Sequence, residues 1–129
     1  MIAIDTNVVV RYLVADDAMQ FRRAKALIEG GPVFVCTTVL LEAEWVLRSI
    51  YRYNRQEIVR ALLLFVGLPT TELEAPSIAQ QALLWTGQGM EFADALHLAS
   101  STGCEAFASF DRDLAKAAGR LGALRVLAP

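Results

Sequence analysis

Short apolar runs alternate with helical patterns along the whole chain, and this alternation leaves few folds open. Ile2-Ala3-Ile4, Val33-Phe34-Val35-Cys36, Thr70 to Leu73, Ala106-Phe107-Ala108-Ser109 and Leu124-Arg125-Val126 read as strands. The first of these is uninterruptedly apolar, which predicts burial on both faces. Thr70 to Leu73 reads as an edge strand. Helices are predicted over 8–14, 18–29, 40–53, 56–66, 76–86, 91–102 and from 111 to about 119, within two to four residues at each end. Strands that alternate with helices in this way build an α/β fold with a central, mostly parallel sheet flanked by helices.

Local chemistry supports these boundaries. Ala18, Phe21, Ala24, Leu27 and Ile28 follow helical spacing, with Arg22, Arg23 and Lys25 between them, and Gly30-Gly31-Pro32 ends the pattern. Leu40, Leu41, Ala43, Val46, Leu47 and Ile50 supply a core face for the next helix. Asn54 caps the one after it, and Pro76 suits the first position of a helix. Trp45 and Trp85 fall at core spacings. With 129 residues and neither a linker-like nor a repeated segment, residues 1–129 are expected to form a single domain.

Bulk properties exclude several function classes. The apolar fraction is 55%, above the usual ~45–50%, yet no run approaches the ~18 residues of a membrane span. The excess predicts a surface covered by a partner. A signal peptide is not expected, since Met1 leads straight into the first strand without a basic segment or a cleavage site. Cys36 and Cys104 are expected to be buried free thiols, which suits a cytoplasmic location. His97 is the only histidine, so chemistry that needs a histidine pair is excluded. A net charge of −2 gives no general attraction to nucleic acid, so any such binding must rest on local patches or bound cations.

The acidic residues carry the strongest chemical signal. Asp5 ends the first strand, and ligands of parallel α/β sheets sit beyond the carboxyl ends of strands. Glu42 lies near the start of the helix after the second strand, and Asp111 follows the Ala106 strand beside Ser109. All three are expected at that edge. Topology alone does not place Asp94, in the first turn of the helix entering the Ala106 strand. Carboxylates gathered at one point raise each other's pKa values until a divalent cation removes the repulsion. Mg²⁺ and Mn²⁺ prefer oxygen ligands and suit phosphodiester hydrolysis.

Four segments sharpen this reading. Ile2-Ala3-Ile4-Asp5-Thr6-Asn7, Thr38 to Leu47, Phe92 to Ala99 and Ser109-Phe110-Asp111-Arg112-Asp113 resemble the PIN-domain ribonucleases, in the family's order and spacing over nearly the whole chain. The nearest likeness is to the VapC toxins of toxin–antitoxin pairs. The resemblance implies a PIN-like fold and an Mg²⁺- or Mn²⁺-dependent endoribonuclease. It also implies that Asp5, Glu42, Asp94 and Asp111 match the acidic metal-binding quartet, with Asp94 brought to it. Asp113 matches a further acid of some members, and Thr6, Asn7 and Ser109 match the supporting polar positions. Glu91 stands where relatives often have an acid. A homodimer and a VapB-like antitoxin are implied as well, with RNA as substrate and no membrane association.

Other residues have competing readings. Glu42 and Glu44 point to different faces of one helix, which leaves Glu44 as a surface charge or salt-bridge partner. Asp111 and Asp113 also suit a helix cap and first turn. His97 reads as a partly buried, hydrogen-bonded histidine rather than a ligand. Arg48, Arg52, Arg55 and Arg60, interleaved with Tyr51 and Tyr53, suit RNA contact, a solvated helix end or a docking site for an acidic partner. Arg112 suits a phosphate contact or local charge balance. Leu62-Leu63-Leu64-Phe65 suits either core or the seat of an antitoxin helix. The rival functions are a non-catalytic PIN-fold RNA- or protein-binding module and another Mg²⁺-dependent phosphoryl hydrolase. The latter would want a second acid beside Asp5, where Thr6-Asn7 supplies none, and a lysine near the later strand ends.

Overall fold

The computed structural model describes all residues from Met1 to Pro129. The chain runs β1 (Ile2–Ala3), α1 (Thr6–Val14), α2 (Ala18–Gly30), β2 (Val33–Val35), α3 (Thr37–Ser49), α4 (Arg55–Val66) and β3 (Thr71–Leu73). It continues through α5 (Pro76–Gly87), α6 (Phe92–Ser100), β4 (Phe107–Ala108), α7 (Arg112–Leu121) and β5 (Val126–Leu127). Every expected element is present, most within two residues of its expected ends. The chain divides into two compact units, Met1–Pro76 and Ser77–Pro129.

In the first unit, β1, β2 and β3 form a parallel sheet in that order, flanked by helices. Ile2 pairs with Val33, and Val33 with Thr71. Val33 and Val35 on the central strand are fully buried, and Thr71–Leu73 forms an edge as expected. The core gathers Val9 and Val10 of α1, Ile28 of α2, Leu40 and Leu47 of α3, and Leu62 and Phe65 of α4. Burying each such aliphatic side chain contributes about 1.5–3 kcal/mol.

In the second unit, β4 and β5 pair in parallel, Phe107 opposite Val126. Its buried residues include Leu83 and Trp85 of α5, Met90, Leu98 of α6, and Leu114 and Ala118 of α7. Helix α7 ends at Gly122, whose φ of 69° is the left-handed geometry that glycine adopts without strain.

Three sequence expectations about burial are corrected. The β1 residues Ile2 and Ala3 are exposed, and only Ile4, beyond the strand, is buried. A two-residue strand at the edge of its sheet has a neighbour on one side only. Trp45 and Ile50 are exposed, at 51% and 60%, because Leu40, Ala43, Glu44 and Leu47 take the inner face of α3 and Ile50 lies past its last turn. Cys104 is exposed and Cys36 half-buried, although both are free. No helix is long and apolar enough to cross a membrane.

Candidate active site

In the first unit the site is built at the junction of β1 and α1. Asp5 is the N-cap of α1, and its carboxylate accepts a hydrogen bond from the Thr6 N–H at 2.7 Å. Thr6 is buried, and its hydroxyl donates to the Glu42 carboxylate on α3. One threonine therefore links two candidate acids that stand 36 residues apart in sequence. Asp5 and Glu42 are themselves exposed, as is Asn7 in the first turn of α1. Each acid is thus held from below by a donor and open to solvent above.

Glu44 is buried, not a surface charge, and it forms an ion pair with Arg48 one turn on, at 2.8 Å. That pairing makes its burial tolerable on the inner face of α3. It also commits Arg48 to a local partner. Arg52 is exposed, with φ at 61°, in the turn that follows α3. Tyr51 is engaged elsewhere: its hydroxyl accepts from Arg11 at 2.9 Å and donates to Asp16 at 3.0 Å.

In the second unit, Asp94 lies half-buried in the first turn of α6. Burial, together with the charges of Glu91 and Asp111, pushes its pKa above the ordinary aspartate value, while His97 pulls it back. Glu91 is the N-cap of α6 but makes no side-chain capping bond. Asp111 caps α7, its Oδ1 accepting from the Asp113 and Leu114 N–H groups at 3.0 and 3.1 Å. Ser109 Oγ accepts from the Asp111 N–H at 3.0 Å and fixes the turn after β4. Asp111 is thus the helix cap that the sequence allowed, and its charge also acts on Asp94. Asp113 and Arg112 are exposed in the first turn of α7. His97 is exposed and stacks on Phe107, ring centroids 6.3 Å apart. It is not the buried, hydrogen-bonded residue that was expected.

All four candidate ligands are carboxylates, and hard oxygen donors of this kind suit Mg²⁺ or Mn²⁺. No three His, Cys, Asp or Glu side chains are grouped as a ready-made metal cage. Mg²⁺ does not need one, since it is usually held by one or two carboxylates together with waters and substrate phosphate. The raised pKa of Asp94 beside two like charges is the electrostatic state that a bound cation would relieve.

Two features escaped sequence reasoning. The Thr6–Glu42 bond has no local signature. Nor does a cavity of about 390 Å³ between α1 and α2, lined by Asn7, Arg11, Gln20 and Arg23 among others. Helical spacing of polar residues on two facing helices was its only trace.

No curated protein and no solved structure matches the chain. The PIN domain family matches residues 2–120, a span that contains Asp5, Glu42, Asp94 and Asp111. The chain belongs to the PIN domain family.

Proposed function

We propose that this protein is an Mg²⁺- or Mn²⁺-dependent endoribonuclease, the VapC-type toxin of a toxin–antitoxin pair. The observation that carries the reading is the set of four acids within the family span, one of them, Asp94, with its pKa raised by burial and by the charges of Glu91 and Asp111. Asp5, Glu42, Asp94 and Asp111 would hold the cation, with Asp113 as an auxiliary acid. When bound, the cation supplies water activation and neutralisation of phosphate charge. The chain's own part is to position these carboxylates. Thr6 holds Glu42 in place through its hydroxyl and Asp5 through its N–H. Ser109 and the α7 cap fix Asp111. Arg112, exposed beside Asp111, would meet a substrate phosphate. In the reaction the oxygen of water bonds to phosphorus, one phosphorus–oxygen ester bond breaks, and the leaving oxygen takes a proton.

The VapB-like antitoxin has a candidate seat in the first unit. Leu64 is 70% exposed and borders a cavity of about 380 Å³ with Tyr12, Leu13, Phe21, Phe65 and Leu68, and with Glu29 as its one charged residue. A largely apolar recess of this size suits one face of an amphipathic helix. A homodimer completes the proposal.

The test is incubation of the purified protein, free of any antitoxin, with total cellular RNA. Discrete cleavage products with Mg²⁺ or Mn²⁺, abolished by a chelator, are expected. Absence of cleavage with either ion would overturn the enzyme reading in favour of a binding module.

A further inference from the structure

The cavity between α1 and α2 has no part in the chemistry described above, yet its lining is suited to a ligand. Asn7 and Arg11 stand one turn apart on α1, and Gln20, Arg23 and Leu27 follow each other along one face of α2. Val8, Ala24 and Leu27 give it an apolar wall. Its volume, about 390 Å³, falls at the small end of the usual range of ligand pockets, about 300–1,000 Å³.

The polar groups are pre-positioned. Arg11 Nε donates to Gln20 Oε1 at 2.6 Å, and Arg11 Nη1 donates to Asp16 at 3.0 Å and to Tyr51 at 2.9 Å. These bonds hold the guanidinium still and leave its Nη2 without a partner. They also use the oxygen of Gln20, so that its amide N–H₂ remains available. Arg23 is exposed and makes no ion pair. Asp16 offsets the charge of Arg11, but no carboxylate lines the cavity itself. The lining therefore offers two guanidiniums, two carboxamides and an apolar wall. Guanidiniums bind phosphate, carboxamides read the edges of bases, and apolar walls pack against base faces. The cavity begins at Asn7, two residues from Asp5 at the same end of α1.

We propose that this cavity is a subsite for a nucleotide of single-stranded RNA flanking the scissile phosphate. Arg23 and Arg11 take the phosphate, and Asn7 and Gln20 contact the base edge. The proposal rests on the ribonuclease reading and adds to it a place on α1 and α2 that holds the substrate away from the acids. A base enters a recess of this kind only when it is unpaired and splayed out.

The experiment compares Arg23→Glu with Arg22→Glu. Both residues are exposed on α2 and both substitutions change the net charge equally, but only Arg23 lines the cavity. Binding of a fluorescently labelled single-stranded RNA of about 10 mixed-sequence nucleotides is followed by anisotropy, in an Asp94→Asn background that does not cleave. Arg23→Glu is expected to weaken binding about 10-fold and to reduce the salt dependence by roughly one phosphate contact, while Arg22→Glu weakens it less than about twofold. Circular dichroism confirms that both variants fold. Equal weakening by both variants, or by neither, overturns the subsite. A change in sedimentation with Arg23→Glu but none in RNA affinity also overturns it, and makes the cavity a protein-docking surface. The two readings fail separately. Metal-dependent cleavage by the parent chain without an Arg23-specific effect removes the subsite alone. An Arg23-specific effect without cleavage of any RNA removes the ribonuclease reading and leaves the cavity as an RNA-binding site with no scissile phosphate beside it.

Discussion

Asp5 and Glu42 in one unit and Asp94 in the other are held in opposite ways. In Met1–Pro76, Asp5 and Glu42 each accept a hydrogen bond from a single buried residue, Thr6. In Ser77–Pro129, the Asp94 carboxylate accepts none, and burial, together with the charges of Glu91 and Asp111, raises its pKa. The first arrangement fixes position. The second disfavours the ionised carboxylate, a cost that a bound cation would offset. The difference gives separate ways to disturb the candidate acids.

Among the residues that only position an acid, the largest effect is expected at Thr6. Thr6→Val keeps the backbone N–H that serves Asp5 and removes the hydroxyl that holds Glu42. Loss of a group that orients a metal ligand typically costs 10–100-fold in affinity or activity, and a fall in RNA cleavage of that order is expected here. Thr6→Ser should restore most of it. Equal activity of Thr6→Val and the parent would mean that the Glu42 contact has no role in the site.

Asp111 allows its two roles to be separated. Asp111→Ala removes both the cap of α7 and the charge, while Asp111→Asn keeps a side-chain oxygen suited to capping. Urea unfolding should show Asp111→Ala destabilised by about 1 kcal/mol and Asp111→Asn close to the parent. Both should lose cleavage activity. Retained activity in Asp111→Asn would show that the residue is only a cap.

The smallest effect is on stability against pH. Because the folded-state pKa of Asp94 is raised, its ionisation disfavours the folded, metal-free protein. Below the ordinary aspartate range the group is protonated in both states and carries no cost. The cost grows as pH rises through that range and is complete above the raised folded value. Asp94→Asn is therefore expected to be modestly more stable than the parent at neutral pH without metal, with the advantage lost in acid. A thermal midpoint that moves the other way at neutral pH would contradict the repulsion.

The sequence made much of this legible, for identifiable reasons. Strands and helices were readable because apolar period and local caps agree: Asn54 and Glu57 form the reciprocal capping pair that begins α4, and Pro76 opens α5. The ends of α3 were not. It begins at Thr37, with the Cys36 backbone at the cap position and no side-chain bond to mark it. It stops at Ser49 without glycine or proline, the backbone folding back so that the Tyr53 N–H donates to the Leu47 carbonyl. The positions of the acids were legible through their surrounding motifs. The contacts that hold Glu42 and Arg11 were not, because they join residues 36 and 40 apart, and no local pattern records such pairs. Exposure was the least legible property. Trp45 and Glu44 are neighbours on α3, and each lies on the side that its chemistry alone would assign to the other.

The most direct test of the central claim compares RNA cleavage by the parent protein with that by Asp5→Asn and Asp94→Asn, under saturating Mn²⁺ and with folding confirmed. These two substitutions remove one charge from each of the two differently held sets of acids. The account predicts that either alone lowers cleavage by about 100-fold or more, since each removes a group acting directly on the reacting phosphate's cation. Cleavage that persists at the parent rate in either variant would contradict it.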